Sequence, residues 1–200
     1  SLAPSCDPSS PIIKGPNIKS IPLKEPLAAI DARVMIKVGD DITTDHIMPA
    51  GGKVLPYRSN IEKMSEFCFQ QIDEGFSARC RENKKGIIVA GSNYGQGSSR
   101  EHAAMAPMFL GIQAVIAKSY ARIHKQNLIN NGILPLRFLN DADYDSVSLL
   151  DELEIVDVQK LEAAKNLTVR NRTAGTVFTA ANDLTEEQVA ADALVAFFRK

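Results

Sequence analysis

The sequence predicts one α/β domain behind an extended leading segment, and three observations carry that reading. Between residues 86 and 138 short apolar runs alternate with stretches of helical periodicity, as in parallel strands joined by helical crossovers. Beyond residue 143 the pattern changes to short strands separated by turn residues, which is antiparallel β. Six of the ten prolines lie before residue 27. Each proline removes a backbone donor and restricts its predecessor, so residues 1–29 are expected to form an extended interdomain linker. Residues 30–200 are expected to form the domain.

The elements follow in order. Arg33-Val-Met-Ile-Lys-Val38 reads as a strand ended by Gly39-Asp-Asp. Asn60 opens an amphipathic stretch with Ile61, Met64, Phe67, Cys68 and Ile72 at helical spacing. Residues 87–89 form a buried strand, and a helix is expected from Ser98 to about Met108. Residues 114–117 are a strand, 120–130 a helix and 133–138 a third strand, which completes a parallel βαβαβ core. The antiparallel part places strands at residues 153–158, 167–172 and 176–179. Thr185-x-x-Gln188 is a capping box for a last helix, whose apolar face carries Val189, Ala193, Val195, Ala196 and Phe197.

Composition narrows the function classes. The chain is 44% hydrophobic and 24% charged with a net charge of −1, ordinary for a globular protein. Its basic residues are scattered, which argues against a nucleic-acid surface or a polybasic membrane anchor. No run approaches the ~18 apolar residues of a membrane helix, and the start lacks the layout of a signal peptide. Three cysteines, Cys6, Cys68 and Cys80, have neither disulfide-framework nor C-x-x-C spacing. A reducing, cytoplasmic compartment is the expectation. The missing initiator Met suggests a piece of a longer protein.

The chemistry concentrates in Gly91-Ser-Asn-Tyr-Gly-Gln-Gly-Ser-Ser-Arg-Glu-His102. Ser98-x-x-Glu101 has the form of a capping box, which would make Ser98 an N-cap and nothing more. The glycines would then serve a tight strand-to-helix turn. Three features point further. Ligands bind at the carboxyl ends of strands in α/β folds. A helix N-terminus offers free N–H groups to an anion. Arg100, in the expected first helical turn, has the wrong sign for the helix dipole. A guanidinium there suits a carboxylate or phosphate held bidentately. Phosphate-loop, dinucleotide and nucleophile-elbow patterns are all absent. What remains is a serine at positive potential, where an alkoxide would be stabilised and could remove a proton from carbon.

A second cluster, Thr43-Thr-Asp-His-Ile-Met-Pro-Ala-Gly51 followed by Arg58, crowds polar groups at the end of the first strand. Its plain reading is an Asx-type turn with a solvated Asp45–His46 pair. Its functional reading makes Asp45 an orienting carboxylate and Arg58 a second anion clamp.

Together these segments resemble the aconitase family. The match runs through residues 43–51, Tyr57-Arg58, Asn93-Tyr-Gly-Gln-Gly-Ser-Ser-Arg-Glu-His-Ala-Ala104, Ser119-Tyr-Ala-Arg-Ile-His124 and Asn127-Leu with Gly132-Ile-Leu-Pro-Leu136. Lys14-Gly-Pro-Asn-Ile18 is similar to the interdomain linker of compact bacterial members. The resemblance implies a three-layer β/β/α swivelling C-terminal domain that closes over a cluster-bearing body. It implies dehydration and rehydration of citrate to isocitrate through cis-aconitate. By position, Ser98 matches the family's catalytic base and Asp45 its active-site aspartate. Arg58, Ser99 and Arg100 match substrate contacts. Structural roles are expected for His46, Glu101, His102 and His124.

The family's [4Fe–4S] cluster needs three cysteines, two of them in C-x-x-C, and this chain has no such pair. Its cysteines read as packing or surface thiols. The resemblance thus places the cluster on cysteines outside this chain, on domains 1–3 of the same enzyme, and leaves this piece inactive alone. The nearest rival is the small subunit of 3-isopropylmalate dehydratase, which usually reads D-T-D-Q-I where this chain has Thr44-Asp45-His46-Ile47. Homoaconitase also stays open. A reading of another class is a non-catalytic carboxylate- or RNA-binding module. Twelve aromatic side chains, none of them tryptophan, give that idea little stacking surface.

Overall fold

The computed structural model describes residues 30–158 and 161–190. The expected linker, and the part of the last helix beyond residue 190, lie outside the described residues. The described residues form seven strands: β1 (Ile30–Lys37), β2 (Gly86–Ala90), β3 (Ile112–Ala117), β4 (Leu134–Phe138), β5 (Glu152–Ile155), β6 (Leu167–Asn171) and β7 (Thr176–Ala181). They close into one barrel in the order β1-β2-β3-β4-β7-β6-β5. The first three pairings are parallel, and the remaining four are antiparallel. The mixed α/β class and its parallel core are therefore as read. The β layers are not two separate sheets, because β5 returns to pair with β1 and β7 with β4.

Burial explains why one half reads as unbroken apolar runs and the other as alternation. Every residue of β2 is buried. Ile87 and Val89 point into the barrel, whereas Ile88 and Ala90 pack outward under helices. A strand covered on both faces has no polar phase to display. In β6, by contrast, Leu167 and Val169 fill the barrel while Thr168 and Arg170 are exposed. The barrel is thus bare on its antiparallel side and covered on its parallel side. In β1, Val34 faces the barrel while Met35 and Ile36 both join the outer core. A register shift between Val34 and Ile36 accounts for this change of phase.

The helical layer is α1 (Thr44–Ile47), α2 (Ile61–Ser65), α3 (Phe76–Asn83), α4 (His102–Phe109), α5 (Arg122–Asn130) and α6 (Glu186–Val189). Asn60 caps α2 as expected, accepting from the Lys63 N–H. The helix ends at Ser65, and Ile72 is 43% exposed instead of lining a continued apolar face. The Thr185–Gln188 capping box opens α6. Tyr120 does not start a helix; it bridges to Tyr94, and its hydroxyl lies 2.8 and 2.6 Å from the Val115 and Leu136 carbonyls.

Two expectations about α4 are corrected. It begins at His102 with Glu101 as a capping position that makes no side-chain cap bond, so Ser98 is not an N-cap. No Ser98–Glu101 capping box forms. Arg100 consequently precedes the helix and does not lie in its first turn. Two positive-φ glycines, Gly95 and Gly97, keep the chain irregular up to this point.

Candidate active site

The loop after β2 extends the parallel order of the sheet beyond the strands. On the β1 side, the Gly95 N–H donates to the Ile42 carbonyl at 2.7 Å and the Thr44 N–H to the Gln96 carbonyl at 2.9 Å. On the β3 side, the Asn93 N–H donates to Ser119 Oγ at 2.7 Å and the Ala121 N–H to the Tyr94 carbonyl at 2.9 Å. Isolated parallel bridges, Thr43 to Gln96 and Tyr94 to Tyr120, mark both sides. The loop is therefore stitched at the carboxyl ends of three parallel strands, where α/β folds bind ligands.

Its shape depends on glycine. Gly95 has φ +86°, and a Cβ there would meet ring carbons of His124 at 2.2 Å. Gly97 has φ +105°. Together they lift residues 96–99 outward, and Ser98 and Ser99 are exposed.

The candidate residues come together around Arg100. The Arg100 guanidinium pairs with the Asp45 carboxylate, 55 residues away, and Arg100 is the more buried partner. A cleft of about 850 Å³ is lined by Ser98, Ser99 and Arg100 together with Thr44, Arg122 and His124. An adjoining recess of about 420 Å³ is lined by Arg58, Ser99, Arg100 and His102. Ser99 and Arg100 thus belong to both, Ser98 opens on one, and Arg58 on the other. Asp45 lines neither; it faces a third recess of about 460 Å³ beside Gly51 and Lys53.

The neighbouring histidines hold this arrangement in place. His46 is the third residue of α1; its Nδ1 accepts from the Thr43 N–H at 3.0 Å, and its own N–H donates to Thr43 Oγ1 at 3.1 Å. This is a reciprocal capping box with histidine in the place of Glu or Gln, so Asp45 and His46 do not form a solvated pair in an Asx-type turn. His102 Nε2 lies 3.3 Å from the Arg58 carbonyl oxygen, which ties the start of α4 to the segment bearing Arg58.

His124 is buried at 2% exposure and packs edge-on against Tyr94, with ring centroids 5.3 Å apart. Neither ring nitrogen has a partner among the described residues. Burial disfavours the imidazolium and lowers its pKa to about 4. The unfolded chain therefore binds the proton first. This contribution to stability is complete above pH ~6.5 and is lost progressively as pH falls towards 4, to a maximum of roughly 3 kcal/mol. Urea midpoints measured between pH 7.5 and 4.5 should fall, and the slope should flatten in His124→Phe. An equal slope in that variant would assign the acid sensitivity elsewhere.

The two described thiols are poorly suited to binding a metal. Cys68 and Cys80 are buried and free. Burial raises both pKa values, that of Cys80 to about 12, which disfavours the thiolate a metal requires. Among the described residues no group of three or more His, Cys, Asp or Glu side chains could hold a metal ion. Cys6 lies outside them. Among the described residues no helix is long and apolar enough to cross a membrane.

Fold and site define a class: an α/β barrel domain with an exposed serine–arginine loop at the carboxyl ends of its parallel strands. Residues 52–141 match the family described as the aconitase C-terminal domain. The mitochondrial aconitate hydratase of Saccharomyces cerevisiae is 35% identical over 197 residues, covering 84% of this chain and 25% of that protein. The 3-isopropylmalate dehydratase small subunit 2 of Archaeoglobus fulgidus is 45% identical over 139 residues, covering 70% of this chain and 75% of that subunit. The solved 3-isopropylmalate dehydratase structure from Methanocaldococcus jannaschii matches with a TM-score of 0.65 and 33% identity, covering 80% of this chain and 86% of that one. The chain belongs to the aconitase family, as its C-terminal domain. It spans about a quarter of the length of the yeast aconitate hydratase.

Thr44 lines the cleft, although the sequence assigned it no role. It stands inside the quoted motif, but nothing local signals what its side chain touches. Arg122 also lines the cleft; it stands inside the Ser119–His124 motif, and as the first residue of α5 it has the wrong sign for the helix dipole, a signal that could have marked it.

Proposed function

We propose that this chain is the substrate-binding and catalytic-base domain of an aconitate hydratase, which interconverts citrate and isocitrate through cis-aconitate by dehydration and rehydration. The observation that carries the reading is the convergence on Arg100. An exposed Ser98, Ser99, a guanidinium oriented by Asp45, and Arg58 share two adjoining recesses. That set suits a substrate with several carboxylates. Arg58 and Arg100 hold carboxylates bidentately, and Ser99 adds a hydroxyl contact. Ser98 exchanges a proton with the substrate carbon, its alkoxide favoured by the guanidinium beside it. Asp45 is the active-site aspartate of this reading and orients the Arg100 guanidinium.

On this reading the [4Fe–4S] cluster is bound by cysteines outside this chain, and domains 1–3 of the same enzyme are its partners. Residues 1–29 link the two parts. The two walls of the barrel supply the β layers of a swivelling three-layer domain, and the helices supply the third. Free buried thiols suit a reducing compartment, and the names of the yeast and other relatives add the mitochondrion to the cytoplasm as its place.

The 45% identity with the Archaeoglobus subunit favours a second reading, a domain acting on 3-isopropylmalate. The yeast homocitrate dehydratase, 33% identical over 183 residues, adds a homologous tricarboxylate. Full-length enzyme given citrate, homocitrate and 3-isopropylmalate in parallel should turn over citrate with the highest kcat/KM. A preference for 3-isopropylmalate would overturn the aconitate hydratase reading. In the same enzyme Arg58→Lys should raise KM for citrate about tenfold or more, because an ammonium cannot reproduce the guanidinium fork. Arg58 is exposed, so the thermal midpoint should barely move. Lost stability with unchanged KM would make Arg58 a scaffold residue.

A further inference from the structure

The loop bearing Ser98 cannot orient that serine by itself. Gly95 and Gly97 stand just before it at positive φ, and glycine is the residue least able to restrict its neighbours. Its exposed end needs an anchor from outside, and the structure supplies one. Thr44 Oγ1 donates to the Ser98 carbonyl oxygen at 2.9 Å. Thr44 is 3% exposed, and its N–H also donates to the Gln96 carbonyl, so it holds the loop at two successive points.

Capping does not explain the Thr44 hydroxyl. The cap of α1 is Thr43, and the capping bonds run between Thr43 and His46. The Ser98 carbonyl is the partner the structure gives this hydroxyl, and it lies 54 residues along the chain. On the opposite side Gly95 lies against the His124 ring. The loop is therefore seated between a buried ring and a buried hydroxyl.

A trans peptide directs its carbonyl and the following N–H to opposite sides. Fixing the Ser98 carbonyl on Thr44 therefore turns the Ser99 N–H away from Thr44 and sets the plane of the Ser98–Ser99 peptide. We infer that Thr44 is a positioning residue for Ser98, its hydroxyl setting that peptide and thereby the direction of the Ser98 side chain. This rests on Ser98 being the base. A displacement of about 1 Å at a reacting group can cost on the order of a hundredfold in rate.

The test uses the full-length, cluster-loaded enzyme and two variants that differ from each other by one oxygen atom. Thr44→Ala should lower kcat about ten- to a hundredfold with KM within about threefold, since the arginines keep their places. Thr44→Ser should keep kcat within about threefold of the parent. Adding Thr44→Ala to Ser98→Ala should bring no further loss, because the threonine acts through the serine. Equal kcat in the Ala and Ser variants, or an additive loss in the double variant, would overturn the inference. If Thr44→Ala does not yield folded enzyme, Thr44→Val keeps the volume, lacks the donor and takes its place in the same comparison. Full activity in Ser98→Ala ends both this inference and the base reading. Activity lost in Ser98→Ala but kept in Thr44→Ala ends this inference alone.

Discussion

Replacing Ser98 by Ala in the full-length enzyme is expected to lower kcat by about two to four orders of magnitude, the usual contribution of a positioned base. Citrate should still bind, because Arg58, Ser99 and Arg100 are untouched. Loss of rate without loss of binding marks an interaction used in the transition state. The structure makes this test cleaner than the sequence does. Ser98 is exposed and caps no helix, so the ~0.5–2 kcal/mol that a lost cap would cost is not expected. Stability should stay within about 0.5 kcal/mol, as for other surface substitutions. Deuterium exchange into the substrate reports the proton step directly. Near-normal exchange in Ser98→Ala would remove Ser98 from the chemistry and turn attention to Ser99.

The second large effect is a complete absence. The chain by itself, supplied with iron and sulfide, should give no cluster absorption band and no cis-aconitate from citrate. Loss of hydroxide from a hydroxy acid calls for a Lewis acid, and the described residues offer no ligand set for one. The two described thiols are buried, and burial keeps them protonated. Turnover by the purified, isolated chain would show that this domain carries more of the reaction than the proposed base and carboxylate clamps.

Strands covered on both faces were the most legible part of the sequence. Ile87, Ile88 and Val89 leave no polar phase, and their β-branched side chains between Gly86 and Gly91 favour a short buried strand over a helix. Helix boundaries were less legible. Ser98-x-x-Glu101 has the composition of a capping box, but positive φ at Gly95 and Gly97 commits the chain to a loop that ends only at Glu101. Thr43-x-x-His46 failed in the opposite way, forming a real capping box with a residue the pattern does not contain. Helix α3 escaped notice because only Phe76, Ser77 and Cys80 are buried along it, too few to print a clear period. In the site, residue types within one loop could be read directly. Contacts between loops could not: Asp45 with Arg100, and Thr44 with Ser98, join positions more than fifty residues apart. Such pairs exist only once β1 and β2 are side by side.

Barrel closure is uneven. Strands β4 and β7 share just two residue pairs, Arg137 with Ala181 and Phe138 with Ala180, reinforced by the half-exposed Arg137–Asp183 ion pair. By comparison β6 and β7 share five pairs. The weakest hinge of the ring therefore lies on the far side of β4 from β1 and β2, whose outgoing loops bear the serine and both arginines. A fluctuation that peels the antiparallel arm away at this seam would leave the β1–β2–β3 ladder paired. Amide exchange would register such opening in β7 before β2. Asp183, which helps close this seam, also lines the Ser98 cleft, so slackening there would move one wall of the cleft while the strands that carry the serine and both arginines stay paired.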